Sequence, residues 1–108
     1  MKIYNRIYNT LGICRKAGKL VLGTAAVEKS ILTQKAKLVV LSSSVSQRTL
    51  KKYQTLCDDK NIDILIIDDN NCLGKSIGRD GIKIMAITDH NFKKMVYESY
   101  NDKSGGEL

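Results

Sequence analysis

Acidic residues are nearly missing from the opening third of this chain: Glu28 is the one acid in residues 1–37, against eight lysines and arginines. Histidine occurs once, at His90, and cysteine three times, at Cys14, Cys57 and Cys72. Thiols that are odd in number, far apart and without paired ligand spacing argue against a disulfide framework and against a bound metal. They read as the reduced thiols of a cytoplasmic protein. No apolar run has the length of a signal-peptide core or of a bilayer-spanning helix, so the expectation is a protein neither secreted nor embedded in a membrane. The parts of an enzyme are also missing. His90 has no oriented nucleophile near it in the sequence, and no glycine pattern follows a strand in the manner of a P-loop or a dinucleotide fingerprint. The acidic pairs Asp58-Asp59 and Asp68-Asp69 fall near helix ends, where capping and solvated charge account for them. Neither catalysis nor a cofactor is expected.

What remains is one domain's worth of chain, 108 residues with enough isoleucine, leucine and valine for a core that needs no staple. The net charge of +7 is concentrated. Residues 38–108 hold ten basic and ten acidic residues, so the whole excess lies in residues 1–37. A solvated basic surface is one explanation. An anionic partner, nucleic acid before others, is the other, and the confinement to a third of the chain favours it.

The apolar pattern alternates between two periods. Ile3, Ile7, Leu11 and Cys14 recur at helical spacing over residues 3–17, and Ala17-Gly18 closes that helix. Leu20-Val21-Leu22 is a short strand closed by Gly23, after which Thr24 is expected to cap a helix of about ten residues carrying Val27 and Ile31. Residues 37–41 form a buried strand, Ser42 to Ser46 a polar loop, and Leu50, Tyr53, Leu56 and Cys57 the inner face of a third helix reaching about Asn61. Residues 62–67 form another strand. A short helix through Leu73 and Ile77 ends at Gly78, Gly78 to Gly81 is a loop, and residues 82–87 are the last strand. Thr88 or Asp89 caps a final helix containing Phe92, Met95 and Val96. Residues 1–101 are read as a single domain and residues 102–108 as a flexible tail. Strands alternating with helices predict an α/β protein, a three-layer α/β/α sandwich on a mixed sheet of about four strands.

Within this plan, Gly18-Lys19-Leu20-Val21-Leu22-Gly23-Thr24 draws attention. A glycine at a strand-to-helix junction permits close backbone approach, and the amides that open a helix favour a phosphate. Turn formation alone also explains both glycines. Lys19 before the strand and Lys29 in the helix tilt the balance toward an anion site.

The ordered set of segments Leu11–Gly23, Lys35–Leu41, Leu56–Ile62, Leu73–Gly78 and Ala86–Asp89 resembles the L7Ae and L30e superfamily of ribosomal and kink-turn RNA-binding proteins, in particular its small bacterial members. The resemblance spans residues 5–97. It implies a non-catalytic α/β/α sandwich that docks onto structured RNA, a kink-turn with sheared G·A pairs or an element of ribosomal RNA, and it implies the ribosome as a further partner and a monomer when free. RNA contact would come from the start of the second helix, the loop after the second strand and the loop before the last strand. The family's Gly-Ala-Asn-Glu-x-x-Lys element falls on Gly23, Thr24, Ala25, Ala26, Val27, Glu28 and Lys29. Only the glycine and the lysine are kept. The positions of the base-reading Asn and Glu hold Ala25 and Ala26, side chains with no donor or acceptor. The other contact loops fall on Ser43, Ser44 and Val45 and on Arg79, Asp80, Gly81 and Ile82, so together with Lys19 these are the expected RNA-binding residues. Loss of two base readers weakens sequence preference but leaves phosphate attraction and shape recognition intact. It also keeps open a second reading, a protein-interaction module attached to the translation machinery.

Overall fold

The computed structural model describes residues 5–67, 72–79 and 81–106. The elements follow in the order α1 (Asn5–Lys16), β1 (Leu20–Leu22), α2 (Thr24–Leu32), β2 (Leu38–Ser42), α3 (Gln47–Asp59), β3 (Asp63–Ile67), α4 (Cys72–Ser76), β4 (Ile84–Ile87) and α5 (His90–Gly106). The four strands make one mixed sheet in the order β1-β4-β2-β3. β4 lies antiparallel to both neighbours, with Val40 opposite Met85 and Val21 opposite Ala86, whereas β2 and β3 run parallel with Val40 opposite Leu65.

Every residue of β2 and β4 is buried, because helices cover both faces of the sheet. Successive strand side chains point to opposite faces, so the two strands feed two cores. Leu38, Val40, Met85 and Ile87 join Ile7, Leu11 and Cys14 of α1, Leu73 of α4 and Val96 of α5 on one face. Val39, Leu41, Ile84 and Ala86 meet Val27 and Ile31 of α2 with Tyr53 and Cys57 of α3 on the other. The three-layer sandwich expected from the alternating pattern is the observed one. Burial pushes the Cys14 thiol up to about 12 and the Cys57 thiol up to about 11, so neither is a nucleophile at neutral pH. The Cys14 thiol donates to the Lys19 carbonyl at 3.2 Å.

Differences from the sequence reading lie at element ends. The last strand starts at Ile84 rather than Ile82, which leaves Ile82 and Lys83 in the preceding loop. Backbone of α5 is helical to Gly106, past the point at Asp102 where the sequence suggests a tail. Asp89 rather than Thr88 caps α5, its carboxylate accepting the Phe92 amide at 3.1 Å. His90 is exposed at the start of that helix, and Asp58 and Asp59 are exposed in the last turn of α3. Asp68 and Asp69 lie outside the described residues. Among the described residues, no group of histidine, cysteine and carboxylate side chains could hold a metal ion, and no helix is long and apolar enough to cross a membrane.

The first four helices share one stop. In each, the residue after the C-cap is left-handed, its amide bonds back three residues and the next amide bonds back five. Gly18 does this after α1 and Gly78 after α4, as expected from their placement. After α2 and α3 the same position holds Gln34 (φ 61°) and Asn61 (φ 57°); the second falls where the sequence suggests the end of the third helix, and the first carries no such signal. A side chain in this conformation costs about 1 kcal/mol, more for Gln than for Asn. Gln34→Gly is therefore expected to raise the melting temperature by roughly 4 °C, read by circular dichroism; an unchanged or lowered midpoint would show that Gln34 is not strained.

Candidate functional site

The carboxyl ends of the parallel strands β2 and β3 and the amino end of β4 lie at one pole of the sheet, where three loops meet. A groove of about 490 Å³ opens there, lined by Gly23 and Thr24 at the start of α2, Ser44, Val45, Ser46 and Thr49 after β2, and Gly81, Ile82, Lys83 and Ile84 before and within β4. The three segments come from separate parts of the chain.

Gly23 sits at φ 88°, ψ 164°, a region open essentially to glycine alone. A Cβ there would meet only the Ile82 side chain, at 3.9 Å, so conformation rather than crowding demands the glycine. Its amide bonds the Ile84 carbonyl at 3.0 Å and its carbonyl accepts from Val27 at 3.0 Å, which ties the α2 start to β4 and begins the helix. Gly23, rather than the Thr24 expected from the sequence, holds the cap position, and with no side chain it gives α2 no cap. The first amides of α2 thus have no helical partner and face the groove's end of the molecule, a natural seat for an oxyanion.

The loop after β2 is held by its own hydroxyls. Ser42 Oγ and Ser44 Oγ are 2.7 Å apart, the Val45 amide bonds the Ser42 carbonyl at 3.2 Å, and the Ser43 amide bonds the Ile67 carbonyl at 2.8 Å. Ser46 accepts the Thr49 amide at 3.1 Å and so caps α3. This fixes Val45, half-buried like Ile82, in the lining of the groove. Behind them, Tyr53 Oη shares its one proton between the Thr24 carbonyl at 3.3 Å and Glu28 at 3.2 Å, while Lys52 pairs with Glu28 at 2.9 Å. The hydrogen bond from Lys52 holds the Glu28 carboxyl below its ordinary range, and burial with the Glu28 charge pushes the Tyr53 hydroxyl up to about 12. The one acid of the basic third is thereby committed to joining α2 and α3.

Of the residues expected from sequence, Gly23, Thr24, Ser44, Val45, Gly81 and Ile82 meet in the groove. Ala25 and Ala26 are exposed on the first turn of α2, Ser43 is exposed beside the groove, and Arg79 is exposed in the loop that leads to it. Lys29 lies in the last turn of α2. Lys19 is at the other end of β1, where its carbonyl accepts the Thr88 amide at 3.0 Å, so it does not flank the Gly23 turn. Asp80 lies outside the described residues. Sequence reading did not single out Ser46, Thr49, Lys83 or Ile84. The Ser46-x-x-Thr49 spacing signals a cap, and Lys83 was hidden by its assignment to a strand.

Gly74 controls one wall of this groove. A Cβ on it would clash with the Arg79 carbonyl and stand 2.7 Å from the Ile82 carbonyl oxygen and 2.8 Å from the Ile82 nitrogen, all backbone. The Arg79 amide returns to the Gly74 carbonyl at 2.9 Å, so the loop lies flat on α4. Gly74→Ala is expected to cost about 1–3 kcal/mol through overpacking and to displace the loop at Arg79 to Lys83. Thermal melting with amide chemical shifts checks this; unaltered shifts at Gly81 to Lys83 would contradict it.

Comparison with known proteins agrees with this architecture. RNA-binding protein YlxQ of Bacillus subtilis is 34% identical over 82 residues, covering 76% of this chain and 82% of its own length. Large ribosomal subunit protein eL8 of Picrophilus torridus is 30% identical over 96 residues, covering 83% of this chain and 76% of its own. Among solved structures, a Bacillus halodurans protein of unknown function superposes with a TM-score of 0.82 at 24% identity, covering 89% of this chain and 97% of that one. The Giardia lamblia 15.5kD RNA binding protein superposes with a TM-score of 0.73 at 16% identity, covering 97% and 90%. These two share the fold. The model of the ribosomal protein L7Ae/L30e/S12e/Gadd45 family matches residues 5–97, and the chain belongs to that family.

Proposed function

We propose that this protein binds structured RNA without catalysis, as a ribosomal-protein-like or ribosome-associated factor, and that the groove at Gly23 is where it does so. The observation that carries the reading is the convergence of an uncapped helix start, a hydroxyl-rich loop and an apolar-tipped loop on one groove. Each supplies a different interaction. The amides that open α2 take a phosphate, Thr24, Ser44 and Lys83 reach sugar and backbone, and Val45 with Ile82 offer an apolar seat to an unstacked base. A YlxQ relative carrying RNA binding in its name supports the same reading.

A kink-turn is the proposed form of the RNA, since its sharp bend presents backbone and extruded bases together. Ala25 and Ala26 make the recognition one of shape more than of base edges. Good bidentate base contacts discriminate by about 1–3 kcal/mol each, and these two side chains supply none. Their bareness also favours, as a second reading, docking of a protein partner on the translation machinery.

Band-shift titrations against a kink-turn RNA and a copy with its G·A pairs disrupted, at two salt concentrations, test the proposal. Binding to both is expected, weakened by salt, with a small preference for the intact RNA. Ala25→Asn combined with Ala26→Glu is expected to widen that preference. Absence of binding at low salt, together with RNase-resistant co-purification with a protein, would transfer the groove to the second reading.

A further inference from the structure

The basic excess of residues 1–37 does not gather at the groove. Its members Lys19, Lys35 and Lys37 stand at the opposite pole of the sheet, where β2 and β3 begin and β4 ends: the Lys37 amide bonds the Ile87 carbonyl at 2.7 Å, and Thr88 bonds the Lys19 carbonyl. A second groove, of about 370 Å³, opens at this pole, and its lining includes Gln34, Lys37, Lys60, Asn61, His90 and Lys93. Lys93 is matched by Asp63 at 3.0 Å, and Asp89 is engaged in capping α5. No carboxylate lines the groove among the described residues, so Lys37 and Lys60 face it without a counter-charge in the lining.

Gln34 and Asn61, the two left-handed residues other than glycine among those described, both line this same groove. Glycine would close either helix with less strain, but it would remove a side-chain amide from the lining. Asn61 is of a type common at such a stop, so Gln34 carries the point: its strain, beside Lys37 and Lys60 with no carboxylate in the lining, is the pattern of a binding site. The lining is polar and cationic, suited to phosphate oxygens: lysines as point charges, amides and an imidazole as donors.

We propose that this second groove binds the phosphodiester backbone of RNA, so that one molecule holds two RNA segments, one at each end of its sheet. This builds on the reading of the first groove as an RNA site but is separable from it, because the two lie at opposite ends of the strands. Its sense is electrostatic: the second pole would supply sequence-independent affinity that the alanine-bearing first pole does not.

Amide chemical-shift mapping of the full chain with an unstructured oligouridine as probe tests this, since signals at the two poles report separately. Shifts at Lys37, Lys60, Asn61 and His90 are expected, and Lys37→Gln with Lys60→Gln should abolish them while leaving any shifts at Gly23, Ser44 and Ile82. The same double variant should reduce the dependence of log affinity on log salt by about 1.4, the value for two phosphate contacts to a single strand. Shifts confined to the first groove, or a salt slope equal to that of the unaltered chain, would overturn the second site and leave the first standing. Shifts at the second pole alone would establish the second site and leave the first, which reads folded RNA, to the kink-turn titration.

Discussion

β2 is hydrogen-bonded on both edges, to β4 and β3, and covered on both faces, so its five residues touch every layer of the molecule. Leu38 and Val40 go to one core, Val39 and Leu41 to the other. Full burial of such side chains contributes roughly 1.5–3 kcal/mol each, and the same residues fix the register of both neighbours. Shifting β2 by one position would exchange its contributions to the two cores and misalign β3 and β4 together. The helices of each layer also pack directly on one another: Thr10 of α1 and Ser99 of α5 are hydrogen-bonded at 2.7 Å, and Glu28 of α2 pairs with Lys52 of α3.

The two poles follow from that arrangement. Because β2 and β3 are parallel and β4 opposes them, the loops after β2 and before β4 open at one end, and the helix start after β1 joins them through the bond from Gly23 to Ile84. The other end collects the stops of α2 and α3 and the beginning of α5. One pole presents unpartnered amides, hydroxyls and two apolar tips; the other presents lysines and amide side chains. On the proposed reading, an RNA-binding surface divided this way would separate recognition of shape from attraction to charge.

Much of this was legible in the sequence. Apolar spacing at Ile7, Leu11 and Cys14, the run Leu38 to Leu41 and the glycines at 18 and 78 give the layers and two of the helix stops, since burial and left-handed backbone leave direct marks on residue choice. The grouping of Gly23, Ser44 and Ile82 rested on family resemblance, because residues distant in sequence meet only through strand order. Charge misled in one respect. A count along the chain places Lys19 beside Gly23, but a strand carries the two to opposite ends of the sheet. Gln34 was invisible for a related reason: glutamine carries no left-handed signature, whereas Asn61, of a type common at such stops, fell where the third helix was expected to end.

The central claim is that three separate chain segments form one RNA-contacting groove, and hydrogen–deuterium exchange with a kink-turn RNA tests it most directly. The account predicts joint protection of amides in Thr24 to Val27, Ser43 to Ser46 and Gly81 to Lys83, with the centre of α3 unchanged. Protection of only one of these segments, or of none while RNA is bound, would contradict it.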